Sequence, residues 1–143
     1  MYENFTERSR QVVALANLSA KNRNHEYVGT EHILFGLLDL EKPNRMAIIL
    51  ENLGIKSEQV RVELEKLIKN GPDMVQDGKL PLTPRGKRAI ELALQEARDL
   101  NHHKVEPEHL LIGLWLEQDG VAAQILLLFN LRIEDLRREV ANQ

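Results

Sequence analysis

The chain has 143 residues, 43% of them hydrophobic and 29% charged, with a formal net charge of -3 and no cysteine. That length suffices for one domain with a sizeable core. The mixed, slightly acidic charge gives no positive field for nucleic acid or anionic lipid, and the missing thiols exclude disulfides, thiol catalysis and thiolate metal sites.

No apolar run approaches the roughly 20 residues of a membrane span, and the opening MYENFTERSR lacks the apolar core of a signal peptide. A cytoplasmic protein with no nucleic-acid or membrane partner is the expectation.

Thr6 precedes the first helical pattern, where its hydroxyl can accept from a free backbone N–H of the first turn. Val12, Val13, Leu15, Ala16 and Ala20 then recur at helical spacing and predict an amphipathic helix ending near Asn24. A short second helix begins around Thr30 and carries Glu31 and His32 in its first turn. Gly36 sits inside it, costing about 1 kcal/mol relative to alanine, which points to close helix packing. A third helix is predicted from Arg45 to Leu53, with Gly54 as a left-handed stop. A fourth runs from Ser57 to about Lys69.

The Pro- and Gly-rich stretch NGPDMVQDGKLPLTP follows, from Asn70 to Pro84, and places a linker at residues 71–81. Beyond it the pattern starts again. Thr83 and Pro84 suit a helix start, and Ala89, Ile90, Leu92, Ala93 and Ala97 carry a helix to about Asn101. A second helix opens near Pro107 with Glu108 and His109, and Gly113 lies mid-helix. The third runs from Val121 to Phe129 with Asn130 as its stop, and the last from Glu134 onward.

The two halves are copies. With an offset of 77, FTERSRQVVALANLSAKNRNHEYVGTEHILFGLL lies over LTPRGKRAIELALQEARDLNHHKVEPEHLLIGLW, and 13 of the 34 positions are identical. The match continues with an offset of 76 after one residue is lost near Asn44. No segment alternates with a period of two. The expected fold is therefore all-α: repeat one (1–70) and repeat two (82–143) are four-helix units related by an approximate twofold axis and packed as one domain over 1–143.

Chemistry is sparse. His32 and His109 recur in register, which invites a metal or general base, but a partly buried helix histidine bonded to a neighbouring backbone group is the commoner reason for such a residue. His25, His102 and His103 fall in loops without the H-E-x-x-H spacing of a zinc site. Ser9, Ser19 and Ser57 lack a G-x-S-x-G elbow. No G-x-x-x-x-G-K-[ST] phosphate loop is present, the nearest approach being GPDMVQDGK. No cofactor, no metal and no catalysis are expected, and a small hydrolase built on the Glu-His pairs is the distant alternative. Trp115, Phe35, Leu127, Leu128 and Phe129 are either core or an exposed partner groove, core being the commoner fate of apolar residues at helical spacing.

The paired blocks FTERSRQVV with GTEHILFGLL, and LTPRGKRAI with PEHLLIGLW, resemble the double Clp repeat, the N-terminal domain of ClpC- and ClpA-type AAA+ unfoldases. The resemblance covers nearly the whole chain. It implies a non-catalytic module that docks protein substrates and adaptor proteins for a Clp ATPase ring, attached or in trans; a free-standing regulator that competes with such an ATPase is the alternative. It further implies recognition of phosphorylated arginine once per repeat, nominating Glu31 with Thr6 and Arg10, and Glu108 with Thr83 and Lys87. A carboxylate suits a guanidinium, and a helix N-terminus with a hydroxyl and a cation suits a phosphate. Thr30 and Glu31 equally fit a plain helix start, a hydroxyl cap followed by an acid. In the second copy Glu106 and Pro107 replace Gly29 and Thr30, which sets negative charge near any phosphate.

Overall fold

The computed structural model describes residues 1–72 and 78–142. Over these the chain forms α1 (Glu7–Asn22), α2 (Thr30–Asp39), α3 (Arg45–Asn52), α4 (Ser57–Leu67), α5 (Pro84–Asp99), α6 (Pro107–Glu117), α7 (Val121–Leu128) and α8 (Ile133–Ala141). The all-α class and the four-plus-four order agree with the periodicity. Part of the expected 71–81 linker, residues 73–77, lies outside the described residues.

Local chemistry sets the helix limits. The Thr6 hydroxyl accepts from Ser9 N–H and that of Thr83 from Gly86 N–H, so the same cap opens both first helices. They close through Asn24 and Asn101, at φ 58° and 59°, the left-handed conformation that asparagine tolerates. Gly54 and Asn130 stop α3 and α7 in the same way. The fourth helix of repeat one is shorter than expected. Ile68 leaves it in an extended conformation and packs on the core, and Gly71 N–H then bonds to the Arg23 carbonyl at the end of α1.

The buried apolar residues of both repeats form one cluster. At its centre lies α6, which touches α1, α2, α3, α5, α7 and α8. Between His109 and Glu117 its sequence is apolar on every face, as a helix enclosed by neighbours should be, and Leu111, Ile112 and Leu114 are fully buried. Trp115, half-buried, donates its indole N–H to the Leu131 carbonyl at 2.7 Å. Phe35 is likewise core, whereas Leu127 and Leu128 remain 67% and 59% exposed. Among the described residues no single helix is long and apolar enough to cross a membrane.

The two halves interlock through backbone. Two isolated parallel bridges pair Phe5 with Val105 and Val28 with Leu82. Each ties the entrance to a first helix in one repeat to the residue before the Glu-His helix in the other.

One ion pair belongs to the fold rather than to any site. Glu96, 5% exposed on α5, accepts from Nε and Nη2 of Arg137 on α8 at 2.9 and 3.0 Å. Arg137→Ala leaves a buried carboxylate without its bidentate donor. It should cost about 1–2 kcal/mol in urea unfolding, the figure being held down by the partial exposure of the arginine. A loss no larger than that of Arg138→Ala on the exposed face would contradict this.

Candidate functional site

The first turns of α1 and α5 are clamped to the opposite repeat. Thr6 N–H and Ser9 Oγ both donate to the Val105 carbonyl, at 3.1 and 2.7 Å. Thr83 N–H donates to the Val28 carbonyl at 2.9 Å. Each threonine therefore stands beside the Glu-His helix of the other copy.

This crossing changes the grouping that positional correspondence suggests. Glu31 lines two clefts, and Thr83 of repeat two lines both with it. One, about 390 Å³, is bounded by Thr30, Glu31, Thr83, Pro84, Arg85, Gly120 and Val121. Thr6 and Arg10 are elsewhere. Arg10 reaches the Tyr2 carbonyl and lines a separate groove with Val13, Leu80 and Leu82. Lys87 is exposed on α5 and lines neither Glu31 cleft; the cation that does is Arg85, two residues earlier in the first turn.

Glu31 is half-buried, and its carboxylate folds back over Gly29, where a Cβ would stand 2.4 Å from Oε1. Only glycine leaves room for that arrangement. Glu108, the counterpart, is 2% exposed, and its Oε2 lies 3.7 Å from Nε of Arg45 on α3.

Thr30 does not cap its own helix, contrary to the sequence expectation. Gly29 is the N-cap, and the Thr30 hydroxyl accepts from Ala122 N–H at the start of α7. Gly120 needs its bare Cα there, since a Cβ would stand 2.4 Å from Thr30 Oγ1. The Glu117 carboxylate accepts from Gly120 N–H at 2.6 Å, with Arg85 Nε 3.9 Å from its other oxygen.

The recurring histidines hold backbone. His32 Nδ1 accepts from Gly29 N–H at 2.9 Å, which leaves the proton of the neutral ring on Nε2. That nitrogen donates to His25 Nδ1 at 2.7 Å, and His25 Nε2 donates to the Lys69 carbonyl at 2.7 Å. The tautomers are fixed because an N–H at one end can only donate and a carbonyl at the other can only accept. Repeat two has the same first two links, with Glu106 N–H to His109 Nδ1 and His109 Nε2 to His102 Nδ1, both 2.8 Å. Burial, and then the adjacent histidine, push His32 and His109 down to about 4. Neither ring has a nitrogen left for a metal or a substrate proton. Among the described residues no group of three or more histidines and carboxylates could hold a metal ion.

Position along the chain hid Arg85 and Arg45, whose places beside Glu31 and Glu108 depend on the crossing of the repeats. The relay partners were visible in principle, because His25 and His32 stand seven apart and the interval recurs at His102 and His109.

The family model of the Clp repeat (R) N-terminal domain matches residues 4–129 and again 83–143. The chain is 42% identical over 140 residues to the chloroplastic chaperone protein ClpC1 of Oryza sativa subsp. japonica, covering 98% of this chain and 15% of that one. It thus spans less than a fifth of that relative's length. The N-terminal domain of the chaperone ClpD from Arabidopsis thaliana superposes with a TM-score of 0.75 at 22% identity, over 99% of this chain and 95% of that one. The N-domain of ClpV, solved in complex with a VipB peptide, superposes with a TM-score of 0.75 at 17% identity, over 96% of this chain and 85% of that one. The duplicated helices, the shared fold and the match along the whole chain place this protein in the Clp repeat N-terminal domain family.

Proposed function

We propose that this chain is a docking module that holds protein substrates or adaptor proteins for a Clp ATPase, and that the cleft of Glu31, Thr83 and Arg85 takes a phosphorylated arginine side chain. One observation carries the site: a carboxylate, a capped helix N-terminus and a guanidinium line the same opening. Phosphoarginine carries both signs within a few ångströms. Its guanidinium group would pair with Glu31, and its phosphate would face the first turn of α5 and Arg85. The peptide complex of the ClpV N-domain supports the broader docking role by homology of fold.

Calorimetric titration with phosphoarginine, with free arginine as control, tests this. Micromolar binding is expected, and Glu31→Ala should weaken it at least tenfold, the equivalent of about 1.4 kcal/mol. Binding that ignores Glu31→Ala and Arg85→Ala alike would move the site elsewhere, and no binding would reject the ligand.

A further inference from the structure

The two Glu-His helices begin alike in sequence, yet their carboxylates have different fates. Asn44 and Gly120 are the N-caps of α3 and α7, so Arg45 and Val121 occupy the same first helical position in the two repeats. Each faces the acid of the opposite copy. Val121 lines the Glu31 cleft, whereas Arg45 puts Nε 3.7 Å from Glu108 and anchors Nη2 on the Glu139 carbonyl of α8 at 3.2 Å. A second difference lies at the helix start: Glu31 folds back over Gly29, and the matching position in the second copy is Glu106.

We infer that Arg45 is a built-in occupant of the second site: its guanidinium stands where a ligand guanidinium would pair with Glu108, so the domain offers one open site, at Glu31, rather than two. This rests on the proposed reading of Glu31. The occupant is held from three sides, by Glu108 on α6, by Glu139 on α8 and by the Asn44 cap of its own helix, whose Oδ1 accepts from Ala47 N–H. A tethered guanidinium competes at an effective concentration far above that of a micromolar ligand.

The test is the stoichiometry of phosphoarginine binding to the whole chain with Arg45→Val, which installs the residue of the twin position, and with Arg45→Gln, which keeps more of the side chain's length. The intact protein should bind one equivalent, lost in Glu31→Ala. Both Arg45 variants should bind two, the second lost on adding Glu108→Gln. Two equivalents in the intact protein, or one in both variants, would overturn the inference while leaving the Glu31 reading in place. Binding by the variants alone, dependent on Glu108, would uphold the occupant and reject Glu31. Silence from all of them would reject both. A ligand-free check is the double-mutant cycle of Arg45→Val with Glu108→Gln: the melting temperature of the pair should fall by less than the two single losses combined, and strict additivity would count against the contact.

Discussion

Replacing Gly113 by alanine is expected to destabilise the protein by about 2–3 kcal/mol, although intrinsic helix propensity alone would have it gain about 1 kcal/mol. The sign follows from where α6 crosses α5. A Cβ at Gly113 would stand 2.2 Å from the Ala89 carbonyl oxygen and 3.0 Å from both N and Cβ of Ala93. These are mostly backbone atoms of a neighbouring helix, so no side chain can swing aside and the helices must separate. Gly36 faces the same geometry in repeat one, 2.5 Å from the Val12 carbonyl, but there the next contacts are looser, at 3.2 and 3.3 Å. Gly36→Ala should therefore lose less. Urea unfolding of the two variants checks both the sign and the order, and a stabilised Gly113→Ala would refute the close-crossing account.

The largest effect should come from acid. His32 and His109 are 2% and 0% exposed, and each accepts a backbone N–H at Nδ1, so the folded state holds them neutral down to about 4. In the unfolded chain they take a proton near pH 6.5. Between those limits the unfolded state binds more protons, and stability falls as pH falls. The contribution is complete above about pH 6.5 and fades through pH 4, roughly 2–3 kcal/mol per histidine by pH 4.5 and about 5 kcal/mol for the two. A domain of this size has a total stability of that order, so it should approach unfolding there. Glutamine at the same position can still accept the N-cap N–H, as in an ordinary capping box, but does not titrate. The variant His32→Gln with His109→Gln should therefore show a much flatter dependence in urea titrations at pH 7.5 and 4.5. An equal slope in wild type and variant would assign the acid sensitivity to carboxylates instead.

Much of this architecture is legible in one pass along the chain, because the signals are local. Thr6 and Thr83 cap as their hydroxyls suggest, and Asn24, Asn101 and Asn130 take the left-handed stops that their short amides permit. Gly36 and Gly113 mark close helix crossings, which the oddity of a repeated mid-helix glycine already announces. What resists prediction is whatever crosses between copies. Thr30 looks like the cap of α2 and serves α7, because the partner N–H arrives from 92 residues away. Correspondence between repeats pairs Glu31 with Thr6, while the bridges at Val28 and Val105 exchange the two partners. An alignment of the copies compares equivalent positions, and equivalent positions in a twofold arrangement need not be neighbours.

The exchanged bridges also bear on how such a chain could diversify. Contacts in which Phe5 meets Val105 and Val28 meets Leu82 are those of an isologous dimer, the same patch meeting itself about an axis, here written into one polypeptide. In a true homodimer every substitution appears twice, and the two clefts stay equal by necessity. Once the halves are covalently joined that constraint is gone, and Arg45 opposite Glu108 can coexist with Val121 opposite Glu31. Fusion thus leaves the fold's symmetry intact while letting one acid keep an internal arginine and its twin line an open cleft.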